Sequence, residues 1–191
     1  MIDKTFNVVI AGVGGQGVVT LAQIIAQAAF VEGFDVKTSE LHGLSQREGS
    51  VETHIRFGKK VYSPLVAQGE ADLIISLELT ESLRKIHYSN PATPFLINDH
   101  SVAFQGGPSG EEARKMIEKE IRDKKYIVPA SKICQDKLQK EVLSGVYLLG
   151  YAVYHNLLPL KPQFAVRALE NLMPEKYLEM NKKAFKLAKG N

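Results

Sequence analysis

Residues 8–17 read VVIAGVGGQG, an apolar strand that runs directly into a glycine-rich turn, and a long apolar helix follows at once. Three of the glycines have the spacing G-x-G-x-x-G. Glycine permits a tight turn and a close approach of the backbone to a ligand, and the N terminus of the following helix favours a phosphate or a carboxylate. The stretch therefore predicts an anion-binding turn, with the candidate residues Gly12, Gly14, Gly15, Gln16 and Gly17.

The chain has 191 residues, of which 45% are hydrophobic and 24% charged, with a net charge of +3. This is the composition of an ordinary globular protein with a sizeable core. The charge balance gives no reason to expect binding to nucleic acid, and we interpret the basic stretch 176–189 as an amphipathic surface helix. The first residues, MIDKTF, lack the pattern of a secretory signal, so we expect a cytoplasmic protein.

The apolar stretch 142–154 is shorter than the ~18 residues that a membrane-spanning helix needs. We therefore expect no membrane segment but a core or interface helix. Gly145 and Gly150 leave flat positions on it where another helix, or a second chain in a homodimer of the isolated protein, can approach closely.

The single cysteine, Cys134, excludes an internal disulfide and cannot by itself hold an iron–sulfur cluster, which needs about four thiolates. The five histidines show no spacing typical of a metal site. We expect Cys134 to be a small buried apolar residue. We also expect this chain alone to bind no metal or cofactor.

The order of elements predicts an α/β protein. We predict strands at 6–11, 34–39, 51–57, 72–77, 95–98 and 126–129. We predict helices at 18–32, 80–87, 111–123, 132–156, 162–172 and 174–189, which make the C-terminal third helical. The strand at 34–39 would complete a right-handed βαβ unit with the first strand and helix. No linker is long enough to divide the chain, so we expect a single domain over residues 1–191.

Two local patterns predict a mixed sheet. Glu52, His54 and Arg56 alternate with apolar residues, which predicts a strand with one solvated face. Residues 58–60, Gly-Lys-Lys, predict a hairpin turn into a strand at 61–62, and therefore antiparallel pairing. Farther along, Ser109 predicts a capping box for the helix at 111–123, with Glu112 as its partner.

A second informative stretch, SELHGLSQREGSV at 39–51, connects two predicted strands and is dense in polar groups. In one interpretation Ser45, Gln46 and Arg47 meet an anionic ligand or a partner at the carboxyl edge of the sheet, where open α/β sheets bind ligands. In the other, the loop is ordered by ion pairs of Arg47 with a nearby glutamate. Ser45 does not lie in a G-x-S-x-G turn, which argues against a hydrolytic triad.

Three classes of function fit these observations. In a stand-alone dinucleotide-binding oxidoreductase, Glu40 would bind a ribose, but the predicted hairpin replaces the second βαβ unit of a doubly wound fold. A non-enzymatic binding or scaffold module is a further alternative. The third class, a subunit of a larger oxidoreductase, rests on a family resemblance.

The two motifs together, GVGGQG at 12–17 and SELHGLSQREGSV at 39–51, resemble the gamma-type subunit of 2-oxoacid:ferredoxin oxidoreductases. The likeness is greatest to the small (beta) subunit of the indolepyruvate enzymes, and it extends through about the first eighty residues. The family pattern is close to G-x-G-G-Q-G followed by S-E-x-H-G-M-S-Q-R-G-G-S-V. This chain departs from it at Leu44, where methionine is usual, and at Glu48, where glycine is common.

The resemblance implies a three-layer α/β/α domain with a mixed, partly parallel sheet. It implies a subunit without clusters that works in complex with a larger catalytic subunit, which carries the thiamine diphosphate and the iron–sulfur clusters. The complex would decarboxylate a 2-oxoacid, such as indolepyruvate, pyruvate or 2-oxoglutarate, pass electrons to ferredoxin and release acyl-coenzyme A. The isolated chain would contain no catalytic residue, and its two motifs would form a pocket or subunit contact that meets coenzyme A.

Overall fold

The computed structural model describes residues 4–42, 49–121 and 124–190, and six strands in this part of the chain form one mixed sheet. The strand order is β2-β3-β1-β4-β5-β6. Strands β1, β4, β5 and β6 run parallel, whereas β3 runs antiparallel to both of its neighbours, β1 and β2. The bounds of β1 to β6 are Phe6–Val13, Asp35–His42, Ser50–Gly58, Leu73–Ser76, Phe95–Asn98 and Lys125–Val128.

Helices cover both faces of this sheet. The seven α-helices of the described residues, α1 to α7, are Val18–Val31, Leu79–Arg84, Gly110–Glu120, Ala130–Leu138, Ser144–Tyr154, Pro162–Leu172 and Glu175–Leu187. Helices α2 and α3 pack on one face, and α1 and α4–α7 pack on the other. This confirms the predicted three-layer α/β/α fold with a mixed, partly parallel sheet and a helical C-terminal third.

The larger core lies on the face of α1 and α5. Both helices are apolar around most of their circumference, so each is covered by a further helix as well as by the sheet: α6 packs on α1 and α7 packs on α5. Tyr147, Phe57 and Phe185 are fully buried there. Burying side chains of this size contributes about 1.5–3 kcal/mol each, so this helical layer supplies much of the stability of the fold.

The predicted hairpin at 58–60 is wrong, although the sheet is mixed as expected. The antiparallel partner of β3 is β2, and β1 occupies its other edge, so no edge of β3 is left for residues 61–62. The N–H of Val61 donates instead to the Asp35 carboxylate at 2.8 Å. β1 and β2 run in the same direction, as the predicted βαβ unit requires, but β3 lies between them.

The solvated face predicted for β3 is also wrong. Glu52 and His54 are buried, with 8% and 1% of their surface exposed. The segment 61–71 lies against His54, to which Val66 donates its N–H, whereas Lys85 and Tyr88 contact Glu52. Arg56 holds the segment in place by donating from Nη1 to the carbonyl oxygens of Ser63 (3.0 Å) and Leu65 (3.2 Å). The alternating polar and apolar residues of β3 therefore face two different environments, both of them buried.

The helix predicted over 132–156 is divided into two. α4 ends at Leu138, where Gln139 adopts a left-handed conformation with φ of 54°, and a 3-10 turn, Glu141–Leu143, leads into α5. The sequence Leu-Gln-Lys contains no glycine or proline at this break, so its pattern gave no stop signal. By contrast, the strand at 95–98, the helix at 162–172 and the Ser109–Glu112 capping box are confirmed.

Candidate functional site

The glycine turn connects the carboxyl end of β1 to α1. Gly15 and Gly17 have φ values of 96° and 83°, and a Cβ on either would meet no atom of the described residues within 4 Å, so this part of the chain leaves space open in front of the turn. Gly12 is required for a different reason: its Cβ would lie 2.8 Å from Cγ2 of Val18. The turn is therefore tight on its inner side and open on its outer side.

Gln16 holds this turn in shape. Its side-chain oxygen accepts the N–H of Val13 at 2.8 Å, and its own N–H donates to the carbonyl oxygen of Val13 at 3.1 Å. The sequence placed Gln16 among the ligand-binding candidates. In the structure its Oε1 closes the turn, and its Nε2 has no hydrogen-bond acceptor among the described residues.

The N terminus of α1 faces the open side of the turn. Gly17 is the N-cap residue and has no side chain with which to cap the first turn, and no other described side chain is recorded as a cap there. Uncapped N–H groups and the positive end of the helix dipole bind a phosphate or a carboxylate. The residues present therefore fit the anionic group that the sequence predicts at this turn.

The two sequence motifs meet in space. The N–H of Gly14 donates to the carbonyl oxygen of Gly49 at 2.9 Å, and Val13 pairs with Ser50 in the ladder between β1 and β3. The second motif thus ends against the glycine turn, at the carboxyl edge of β1. Three of its predicted site residues, Ser45, Gln46 and Arg47, and the departures Leu44 and Glu48, lie outside the described residues.

Glu40 lies far from the position that a dinucleotide-binding fold requires. It is exposed on β2, and β3 separates β2 from β1. Two strand spacings of about 4.8 Å each place β2 roughly 10 Å from β1. The ribose-binding acid of a doubly wound fold follows the strand next to β1, so the sheet order argues against a dinucleotide site at this turn.

A polar crevice of about 230 Å³ opens beside the turn, at the carboxyl end of β5. Its lining residues are Gly15, Gln16, Asn98, His100, Ser131, Glu141, Val142 and Ser144. The buried Asn98 amide is fully engaged, since it donates to Ser131 Oγ at 2.9 Å and to the carbonyl oxygen of Leu77 at 3.2 Å, and it accepts the Ser131 N–H at 3.1 Å. At the rim, Nδ1 of His100 lies 3.2 Å from Oε1 of Glu141.

An apolar pocket of about 520 Å³ lies on the other side of Gln16, between α1, α5 and α7. Leu21, Ile24 and Val146 line its floor. Gln16 and Val142 line both the crevice and the pocket, so these two residues lie between them. Sequence reasoning missed this pocket, because its walls come from three helices that are distant in the chain.

Sequence reasoning also missed a group of buried acids after β4. Glu78 caps α2 by accepting the N–H of Glu81 at 2.8 Å, and burial raises the pKa of Glu78. Ser50 Oγ donates to Oε2 of Glu81 at 2.5 Å, which ties the end of the second motif to α2. The sequence signal, SLELTE directly after an apolar strand, resembles an ordinary helix start.

A buried ionic network lies under the same motif. Oε1 of Glu52 accepts hydrogen bonds at 2.7 Å from His54 Nε2 and from the Tyr88 hydroxyl, and its Oε2 lies 2.6 Å from Lys85 Nζ. Nδ1 of His54 accepts the N–H of Val66 at 3.0 Å, so Nε2 carries the proton of a neutral ring. Burial and the hydrogen bond to Glu52 raise the pKa of Tyr88 to about 12. This network anchors β3 to the α2 layer.

Among the residues that the structure describes, no three histidine, cysteine or acidic side chains are grouped so that they could hold a metal ion. Cys134 is fully buried, and burial raises the pKa of its thiol to about 12. None of the described helices combines the length and the apolar character that crossing a membrane requires.

Comparison with known proteins places these features in a family. Residues 7–190 match the family model described as pyruvate ferredoxin/flavodoxin oxidoreductase. The chain is 34% identical over 194 residues to indolepyruvate oxidoreductase subunit IorB of Pyrococcus horikoshii, an alignment that covers 96% of this chain and 94% of that protein.

Two solved structures share the fold. The gamma subunit of a keto/oxoacid ferredoxin oxidoreductase from Geobacter sulfurreducens has a TM-score of 0.69 at 16% identity, with 96% of each chain covered. The 2-oxoglutarate:ferredoxin oxidoreductase of Magnetococcus marinus has a TM-score of 0.76 at 18% identity, with 98% of this chain and 31% of that chain covered. The family match over residues 7–190 shows that the chain belongs to the pyruvate ferredoxin/flavodoxin oxidoreductase family.

Proposed function

We propose that this chain is the small subunit of a cytoplasmic 2-oxoacid:ferredoxin oxidoreductase of the indolepyruvate type. In this proposal a larger partner subunit binds thiamine diphosphate and the iron–sulfur clusters, and it passes electrons to ferredoxin. Family membership and the 34% identity to the Pyrococcus horikoshii subunit support it. The Magnetococcus marinus enzyme also supports the proposal. This chain matches 31% of that chain, so in that protein the same fold is one part of a larger chain.

The role of this chain would be to position a ligand rather than to react with it. We propose that Gly12 and Gly14–Gly17, with Ser45, Gln46 and Arg47, form one side of a site for coenzyme A or a contact with the catalytic subunit. The observation that carries this is the hydrogen bond from Gly14 to Gly49, since it brings the ends of both motifs together. Coenzyme A would accept the acyl group, and its anionic groups suit the uncapped N terminus of α1.

Co-expression with a candidate large subunit tests the subunit role. We expect 2-oxoacids to reduce a viologen dye only when both chains are present. Full activity of the large subunit alone would refute the proposal. A stand-alone dinucleotide enzyme makes the opposite prediction, that the isolated chain binds a dinucleotide in titration calorimetry.

The Arg47→Ala variant tests the coenzyme A site in the two-subunit enzyme. If Arg47 meets an anionic group of coenzyme A, we expect the apparent KM for coenzyme A to rise several-fold, with the KM for the 2-oxoacid unchanged. Lys59→Ala is the matched control, because Lys59 is an exposed cation beyond the opposite end of β3. An unchanged KM for coenzyme A in the Arg47 variant would mean that Arg47 has only a structural role.

A further inference from the structure

A second crevice lies between α1 and β2, the strand at one edge of the sheet. Its volume is about 310 Å³, at the lower end of the roughly 300–1,000 Å³ that is usual for small-molecule sites. It shares no lining residue with the polar crevice or the apolar pocket beside the glycine turn, so it is a separate feature of the fold. The residues that line it are Ala22, Gln23, Ala26, Gln27, Phe30, Val36, Thr38, Glu40, Thr53 and Leu172.

Thr53 is the reason to expect a ligand in this crevice. Its side chain is fully buried, and its hydroxyl has no hydrogen-bond partner among the described residues. A buried hydroxyl without a partner is costly unless a ligand or a water satisfies it. Since Thr53 lines the crevice, a molecule bound there can supply the missing hydrogen bond.

Glu40 places a negative charge next to this hydroxyl. The register of the ladder between β2 and β3 puts Glu40 directly opposite Thr53, and such residues have Cβ atoms about 4.5–5.5 Å apart. In the described part of the chain the Glu40 carboxylate has neither an ion pair nor a hydrogen bond. No lysine, arginine or histidine lines the crevice, so its charge is negative and uncompensated.

The other walls provide further acceptors and an apolar surface. Gln23 and Gln27 project from α1, and within the described residues neither side-chain amide has a hydrogen-bond partner. Their amide oxygens can therefore accept hydrogen bonds from a ligand. Phe30 and Leu172 are large apolar residues with 65% and 39% of their surface exposed. The crevice thus combines a group of acceptors with an apolar surface that lies open.

We propose that this crevice binds a small primary amine with an apolar body. The ammonium group would donate to the Glu40 carboxylate, to the hydroxyl oxygen of Thr53 and to a glutamine amide oxygen, which together satisfy its three N–H donors. The apolar body would lie against Phe30 and Leu172. Because the ligand is a cation and the crevice lies apart from the glycine turn, this binding is separate from the proposed function.

Titration of the isotope-labelled full chain, followed by nuclear magnetic resonance, tests the proposal with 2-phenylethylamine and its uncharged analogue, 2-phenylethanol. We expect the amine to bind about five-fold more tightly at low salt, and less so at high salt, because the exposed Glu40 charge is screened. A third titration, with Nα-acetyl-lysinamide, distinguishes a free amine from a lysine side chain, and binding of that compound also supports the site. Equal measurable affinity for the first two compounds, or no binding of either amine, would overturn the proposal.

Two variants test the individual contacts. Thr53→Val removes the hydroxyl and keeps the shape of the side chain, so it should weaken the amine about five-fold. It should not lower the free energy of unfolding of the free chain, because the hydroxyl that it removes has no partner there. Glu40→Gln, at an exposed position, should bring the affinity for the amine down to that for the alcohol. Unchanged affinity for the amine in either variant would overturn the proposal.

Matched controls come from the opposite layer. Thr80 of α2 is a buried threonine whose hydroxyl also lacks a partner among the described residues, and Glu111 is an exposed acid of α3. Thr80→Val and Glu111→Gln should leave the affinity for the amine unchanged. Because these titrations use the chain alone, they can fail while the two-subunit activity assay succeeds, or succeed while that assay fails.

Discussion

Replacing Glu52 with glutamine should remove a pH-dependent part of the stability. The carboxylate is buried and is shared by the donors of His54, Lys85 and Tyr88. Burial by itself would raise the pKa of Glu52, but the hydrogen bonds from these three donors and the charge of Lys85 outweigh it. They lower the pKa from 4.5 to about 2.

The direction of the pH dependence follows from this lowered pKa. Because the pKa is lower in the folded state, the ionised carboxylate stabilises the fold fully above about pH 4.5, and this contribution is lost as the pH falls from there through about 2. At about 1.36 kcal/mol for each pKa unit, the lowered pKa of Glu52 contributes about 3 kcal/mol to the free energy of unfolding at neutral pH. Less than half of it remains at pH 3.

Urea unfolding of the wild type and of Glu52→Gln between pH 3 and pH 7 measures this contribution. The difference in the free energy of unfolding should be largest at pH 7 and should shrink by about 2 kcal/mol by pH 3. Glu179→Gln is the control, because Glu179 is exposed and Lys182, its partner, also pairs with Glu170. A wild-type–Glu52→Gln difference that stays constant over this range would refute the reasoning.

Three further changes have definite expected outcomes. Gly12→Ala should lower the midpoint of thermal unfolding by an amount equivalent to about 1–3 kcal/mol, because its Cβ would lie 2.8 Å from Val18 Cγ2; an unchanged midpoint would contradict the close packing. Cys134, which is fully buried with its pKa raised to about 12, should react with a thiol reagent only after unfolding, and rapid labelling of the native chain would disprove this. Ser109→Ala should cost about 1 kcal/mol in urea unfolding, since the Ser109 hydroxyl accepts the Glu112 N–H at 3.3 Å, whereas Ser109→Asp should retain most of the stability.

The sequence predicted the features that depend on local chemistry. The strand–turn–helix at residues 8–17 and the capping box of α3 are recognisable because the residues that form them are neighbours in the chain. The apolar strand over 95–98 and the helix that begins at Pro162 have clear signals at both ends. The family could also be recognised, because two short motifs together identify it.

The features that the sequence did not predict depend on contacts between distant segments. The sequence predicts a solvated face for β3, because it does not distinguish a charged residue in a buried network from a charged residue exposed to water. Nothing local to Glu52 reveals that Lys85 and Tyr88, more than thirty residues away, will cover it. In the same way, the apolar pocket exists only where three helices meet, so no single helix predicts it.

The central strand of the mixed sheet also sets the order in which the chain can assemble. β2 and β3 are neighbours in the sequence, with Leu41 opposite Glu52, and therefore close a short loop. β1 pairs with β3 and β4 only across much longer stretches of chain, with Phe6 opposite Phe57. Pairings between distant segments form more slowly, because more chain entropy is lost before contacts compensate. We therefore expect the β2–β3 hairpin to form first and the bond from Gly14 to Gly49 to form late, so that a partner which recognises the completed turn selects chains that have finished folding.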